Sequence, residues 1–337
     1  MSNLRIKDIA QRAGVCQATV SRTLRNPDIV SPKTRKKVMA VVDELGFTPN
    51  KLGASLRNGR SGNIVVITPD ITNPYFSPIV RSIEKVAMAK GYSVLLGDTQ
   101  EDPSREFQFG DLLMSSQADG IIISSQRLPF NTKVHKNIIN NLPPIVSTAE
   151  VVEHADIPKV VVDNVAIAET AVQHLIDQGH TTIAAIAGIE SHRSTVQRLQ
   201  GMKNVLSAAG LPFEEKLVYY GNYTTESGVA GVKKLLQQRQ RPTALFCFGD
   251  MMAIGAMHAL RELDFSIPDD ISVIGIDDIL FAQYCYPPLT SVAQPLSTIG
   301  ETCANTLIDL IEGRTPEKQL NIMPHKLMQR GSTKAPR

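Results

Sequence analysis

Tryptophan is absent from this 337-residue chain, only 17 residues are Phe or Tyr, and just four are cysteines. Cys16, Cys247, Cys285 and Cys303 show no CxxC spacing and no flanking histidine cluster, so they offer no metal site and are expected to be buried thiols. Long hydrophobic runs are missing too. The longest apolar stretches, such as Ile121 to Ile123 and Val160 to Val162, are of buried-strand length, against the ~20 residues a membrane span needs. Charged and apolar residues alternate at the start, without the apolar run and cleavage site of a secretory signal, so a cytoplasmic location is expected. No GxGxxG follows a strand, and neither GxxxxGK[ST] nor a GxSxG elbow occurs. Neither catalysis nor a cofactor is therefore expected. The histidines, His135, His154, His174, His180, His192, His258 and His325, are dispersed and read as ordinary surface or core residues.

What is present is the composition of a soluble globular protein, 42% apolar and 20% charged, long enough for two or three domains. The net charge of +2 conceals an asymmetry: residues 1 to 62 carry 12 Lys and Arg against 4 Asp and Glu, and the remainder 23 against 29. A head at +8 attracts a polyanion, whereas the body at −6 does not.

Within the head, apolar spacing predicts three short helices: Ile6 to Ala13, Gln17 to about Leu24, and one opened by Ser31-Pro32 and stopped by Gly46. Two helices joined through Gly14-Val15 and braced by a third match a helix-turn-helix. Val20 and Leu24 point inward, leaving Gln17, Ala18, Ser21, Arg22 and Arg25 outward. Arg22 suits guanine through two parallel hydrogen bonds and Gln17 suits adenine. A helical bundle with a solvated polar face is the other reading of the same spacing.

The run IKDIAQRAGVCQATVSRTLRN resembles the head of the lactose/galactose repressor family. That resemblance implies base-reading roles for Gln17, Ala18 and Arg22, and DNA-backbone contacts for Thr19 and Ser21. Cys16 replaces the usual Ser or Thr, and a thiol caps a helix poorly. Residues 47 to 62 resemble the family's hinge, which becomes a short helix on operator DNA, with Asn50 at its start and Leu56 wedged in the minor groove. A plain linker is the alternative.

From Asn63 onward, strand-like runs alternate with helical segments, a pattern that calls for parallel sheets flanked by helices. Nine strands are expected, beginning near Ile64, Ser93, Gly120, Pro144, Val160, Thr182, Leu217, Ala244 and Ser272. Ligands bind such sheets beyond the carboxyl ends of the strands. There lie Asn73, Tyr75, Phe76, Arg198, Asp250, Asp277 and Gln294, a set of carboxylates, arginine and amides for hydroxyl groups and aromatic faces for a ring. Singly, each has a structural alternative, such as a helix cap or a core aromatic.

DITNPYFSPIVRSIE, PTALFCFGDMMAIGAM, ISVIGIDDI and LMQRGST extend the resemblance across the body. It implies an α/β class: an all-α helix-turn-helix head on a two-lobed, periplasmic-binding-protein-like sensor with parallel sheets. The implied division is residues 1–46 for the head, 47–62 for the hinge and 63–337 for the sensor. Its first lobe takes about 63–162 and 292–324, its second about 163–291 and 325–337. The same seven strand-end residues then line an effector cleft. Gly249 departs from the Asn of several sugar-binding members, and Thr148-Ala149 from an acid. The runs LLGDTQ, SSQRLPFN and FAQYCYPPLTSVAQP are most similar to a nucleoside-responsive member, which makes a nucleoside such as cytidine the expected effector and a sugar or purine the alternative. Expected partners are double-stranded operator DNA and a second copy of the chain, since no heptad helix of the tetramer-forming kind trails the sensor. A periplasmic solute-binding protein, the rival class, predicts a signal peptide and no basic head.

Overall fold

The computed structural model describes residues 4–47, 59–131, 142–152, 155–239 and 241–336, the side chain of Arg25 excepted. It forms two units that divide between Ser61 and Gly62. The expectations for Asn50 and Leu56 lie outside the described residues, as does that for the Arg25 side chain.

Three helices, α1 (Ile6–Ala13), α2 (Gln17–Arg25) and α3 (Pro32–Leu45), form the head. Asp8 accepts the Arg5 backbone N–H at 2.8 Å, and so satisfies a free donor at the start of α1. Gly14 ends α1 at φ 60°, a left-handed conformation that side chains resist, and turns the chain sharply into α2. Ser31 accepts the Thr34 N–H at 3.4 Å to cap α3, and Pro32 fills its first turn. Ile9, Ala10, Ala13, Val20, Val38, Val41, Val42 and Phe47 are buried together. Each large apolar side chain so buried stabilises the unit by about 1.5–3 kcal/mol. The exposed ion pairs Arg12–Glu44 and Arg35–Asp28 add at most about 1 kcal/mol each, so burial holds the head together.

The second unit has two lobes. In the first, β1 (Asn63–Thr68), α4 (Phe76–Ala89), β2 (Ser93–Asp98), α5 (Pro103–Met114), β3 (Gly120–Ile123), β4 (Ile145–Thr148) and β5 (Lys159–Val162) follow in order. After a first crossing come α6 (Asn164–Asp177), β6 (Ile183–Ala187), α7 (Arg193–Ala208), β7 (Val218–Tyr220), α8 (Thr225–Leu235), β8 (Ala244–Cys247), α9 (Asp250–Glu262), β9 (Ser272–Asp277) and β10 (Thr290–Ala293). The chain returns for α10 (Leu296–Ile311) and β11 (Leu320–Met323), then crosses a third time to β12 (Lys326–Met328).

The first sheet, ordered β11-β5-β4-β3-β1-β2, is wholly parallel. The second, ordered β12-β10-β9-β8-β6-β7, is parallel except for β12 at its edge. Parallel neighbours need long crossovers, and helices supply those from β1 to β2, β6 to β7 and β8 to β9. Because helices cover the sheets, β3, β4, β6, β8 and β9 are buried along their whole length, which accounts for their near-continuous apolar sequence. Helices α4 and α10 pair on the first sheet, while α6–α7 and α8–α9 pair on the second.

Strands β10, β11 and β12 add to the nine expected. β11 and β12 are short and partly exposed, so their sequences carry no buried run and their positions are set by sheet partners. Because the second sheet retains β10, the second crossing falls just after Ala293 and not at 292. Cys247 and Cys303 are buried and Cys285 half-buried, but Cys16 is exposed, against the expectation of four buried thiols. Among the described residues no helix is long and apolar enough to cross a membrane.

Candidate functional site

On α2 the inward pair is Val20, fully buried, with Leu24 partly buried behind it. Gln17, Ala18 and Arg22 are exposed, whereas Thr19 and Ser21 are half-buried. The buried Thr23 hydroxyl donates to the Thr19 carbonyl at 2.9 Å, which ties the polar side of α2 to its own backbone. Among the described residues no hydrogen bond or ion pair engages the Arg22 guanidinium. Cys16 sits at the N-cap but makes no capping bond; its Sγ lies 3.2 Å from Thr19 Oγ1, and that contact lowers the thiol pKa.

A cavity of about 500 Å³ opens between the two lobes. Asn73, Tyr75, Phe76, Arg198, Asp277 and Gln294 all line it. Local turns place the aromatic pair. Asp70 Oδ1 accepts the Thr72 N–H at 2.8 Å and Asn73 Oδ1 the Tyr75 N–H at 3.0 Å, folding the loop after β1 so that it delivers Tyr75 and Phe76 to the start of α4. The two rings meet edge to face at 4.9 Å.

A polar chain runs along the cavity wall. Tyr75 donates its hydroxyl to Gln294 Oε1 at 3.3 Å, and Gln294 Nε2 donates to Asp277 Oδ1 at 2.8 Å. Arg198, 7% exposed, donates through Nε to Asn164 Oδ1 at 2.9 Å and through Nη1 to the Phe248 carbonyl. Burial raises the Asp277 pKa; Arg198 and Gln294 draw it back, leaving it at about 7. Burial and the neighbouring Asp277 keep the Tyr75 phenol protonated.

Asp250 does not join them. It is fully buried, with Oδ2 accepting the Ile279 N–H at 2.9 Å and Oδ1 the Ser291 hydroxyl at 2.7 Å. A Cβ at Gly275 would fall 2.1 Å from its Oδ1, so β9 must be side-chain-free there to admit the carboxylate. The expected effector contact is thus a brace that holds the turn after Asp277. Burial and the Asp277 charge raise its pKa well above the ordinary carboxylate range.

Other lining residues were not foreseen. Tyr223 follows β7, and its hydroxyl meets Thr195 Oγ1 at 3.0 Å and Ser194 Oγ at 3.1 Å; Gly188 makes room, since a Cβ there would lie 2.1 Å from the ring. Glu150 follows β4 and accepts from the Ser194 hydroxyl across the cleft. It supplies the acid missing at Thr148-Ala149. At Gly249 a Cβ would stand in ordinary contact, 3.4 Å from both Asp277 Oδ2 and the Tyr223 ring, so the bare position lies directly beside the polar chain. His192, read as an ordinary histidine, lines the same cavity. For Tyr223, Glu150 and His192, which follow β7, β4 and β6, the strand-end position was the available signal.

Backbone strain is concentrated here. Of eight non-glycine residues with positive φ among the described residues, Gln100, Glu101, Ala149, Tyr223 and Asp277 line the cavity. Conformations costing of order 1–3 kcal/mol each persist where the surroundings over-determine them, as at ligand sites.

Comparison with known proteins agrees with this architecture. Residues 5–50 match the model for bacterial regulatory proteins of the lacI family, and residues 172–333 that for a periplasmic binding protein-like domain. The HTH-type transcriptional repressor CytR of Escherichia coli K12 is 39% identical, covering 98% of this chain and 96% of its own length. Catabolite control protein A of Priestia megaterium is 33% identical over 98% of this chain and all of its own. A lac repressor dimer bound to operator and the anti-inducer ONPF superposes with a TM-score of 0.85 at 28% identity, covering 98% and 99% of the two chains. Head, lobes and relatives together make this chain a DNA-binding transcriptional repressor of the lacI family.

Proposed function

We propose that a nucleoside such as cytidine, bound in the interlobe cleft, sets the operator affinity of this repressor, and that the working unit is a cytoplasmic homodimer. One observation carries the effector reading: Tyr75, Phe76 and Tyr223 share a single cavity with the polar groups of Arg198, Asp277 and Gln294. A planar base needs the first set and a ribose diol the second. Charge narrows the class further. Four acids, Asp70, Glu101, Glu150 and Asp277, line the cavity against two arginines, Arg198 and an Arg127 already paired with the buried Glu106 at 2.8 Å. A phosphate would meet net repulsion, which favours a neutral nucleoside over a nucleotide.

Operator recognition is assigned to Gln17, Ala18 and Arg22 at base edges, with Thr19 and Ser21 on the phosphates. Asn50 and Leu56 remain assigned to the hinge. The dimer reading rests on exposed apolar side chains: Tyr284 and Tyr286, 73% and 82% exposed, stand with Leu280 and Phe281 on the second lobe, and Leu95 and Leu96 on the edge strand β2 of the first. Such clusters mark association surfaces. Effector and operator influence each other only through differing affinities for the open and closed lobes, a coupling of about 1–3 kcal/mol.

Calorimetry of the full chain against cytidine, adenosine, free purines and ribose tests the proposal. Cytidine binding with ribose silent is the expected result. Tighter binding of a free purine or of ribose than of either nucleoside would reject it.

A further inference from the structure

His192 stands at the start of α7 in the second lobe, yet the carboxylates around its ring come from the first. Nε2 lies 3.6 Å from Glu101 Oε2, and Nδ1 lies 3.7 Å from Glu150 Oε1. Glu101 precedes α5 and Glu150 follows β4, so one imidazole spans the cleft to two separate segments. Both segments are strained, with Glu101 at φ 59° and Ala149, just before Glu150, also at φ 59°. Two further groups face the ring: Tyr223 of the second lobe at 6.3 Å, and Arg127 of the first, a like charge.

A neutral imidazole has one N–H and holds one carboxylate at best; the imidazolium donates from both nitrogens. Burial, Arg127 and the positive end of α7 all oppose that charge. Against burial, the Glu101 contact and the charges of Glu150 and Glu101 prevail, and the His192 pKa ends above its ordinary value. Separation of the lobes removes both carboxylates together and returns the ring to an ordinary histidine.

We propose that His192 is a proton-operated clasp between the lobes: charged, it ties Glu101 and Glu150 to α7 and favours the closed cleft; neutral, it releases Glu101 and leaves Glu150 to Ser194 alone. Since the group holds its proton more tightly when closed, the clasp is fully engaged below the open-state pKa and is lost as pH rises through the closed-state pKa. A ligand retained by closure therefore binds more tightly on the acid side and takes up protons.

The first test needs no ligand. In the full chain carrying ¹³C-labelled histidine, His192 should titrate above the ordinary histidine value, with its signal assigned by His192→Gln. Glu101→Gln and Glu150→Gln should each lower that pKa. An ordinary pKa indifferent to both substitutions overturns the clasp. Should His192→Gln fail to fold, Glu101→Gln, at a partly exposed side chain, identifies the same signal and carries the test. A second readout rests on the cytidine reading: the gain in affinity from pH 8 to pH 6 should be about threefold larger in the wild type than in His192→Gln, the scale of a partly exposed ion pair, since the Asp277 contribution is common to both. A wild-type gain equal to the variant's overturns the clasp, whereas cytidine failing to bind at either pH rejects the nucleoside alone and leaves the titration to decide.

Discussion

Arg22 and Arg198 are both offered to a ligand, yet their settings are opposite. Arg22 lies exposed on α2 with no partner among the described residues; Arg198 is 7% exposed and already bonded to Asn164 and Phe248. The head presents water-solvated groups on a scaffold held by a separate apolar core. In the cleft, the groups assigned to the ligand are also those that hold the lobe in shape. Recognition and stability are therefore separable on the head and entangled in the cleft.

The largest effect should come from Arg198→Ala. Removal of the guanidinium leaves the Asn164 and Phe248 oxygens without a donor, so folding stability should fall by about 2–5 kcal/mol in urea unfolding, together with loss of effector binding. A loss under about 0.5 kcal/mol would break the entanglement. Asp277→Asn sharpens it through pH. With its pKa raised to about 7, native Asp277 keeps a proton that the unfolded chain releases near 4. Its contribution therefore declines as pH climbs from about 4 to 7. Wild-type minus variant stability should slope downward by a few kcal/mol over that window and level off above it, as followed by unfolding at each pH. A difference curve flat throughout would mean that the carboxyl is ionised.

Arg22→Ala should behave in the opposite sense to Arg198→Ala. Stability stays within about 0.5 kcal/mol, while discrimination between operator and random duplex falls by about 1–3 kcal/mol, read by competition binding at fixed salt. Retained discrimination would move base reading elsewhere on α2. The smallest effect belongs to Cys16→Ser, which restores a capping oxygen and should steady α2 by about 0.5–1 kcal/mol, visible as slower amide exchange at Thr19 and Val20.

The head was legible almost residue by residue because its signals are local. Asp8, Gly14, Ser31, Pro32 and Gly46 act on the backbone within a few positions of themselves, and the bounds of α1 and α3 follow. In the cleft, the strand-end rule located Tyr75, Arg198 and Asp277 but could not tell which way a side chain turns. Asp250 stands at the same kind of position and points inward, because Gly275, 25 residues later, leaves space for it. Tyr223 depends likewise on the bare backbone at Gly188. His192 was least legible, since its chemistry comes from Glu101 and Glu150 on the other lobe. Periodicity reports neighbours along an element; it carries nothing about residues brought together by three chain crossings.

Those crossings govern the order in which the molecule can be completed on the ribosome. The head's helices have all emerged once Leu45 clears the exit tunnel, long before the sensor exists. The first lobe, although it starts at Asn63, lacks α10 and its outermost strand until Leu296–Ile311 and Leu320–Met323 have been translated. Synthesis of the entire second-lobe block from α6 to β10 intervenes. Throughout that interval β5 is a sheet edge open on one side and the face destined for α10 is bare, surface of the kind that invites aggregation, whereas the three head helices are already complete.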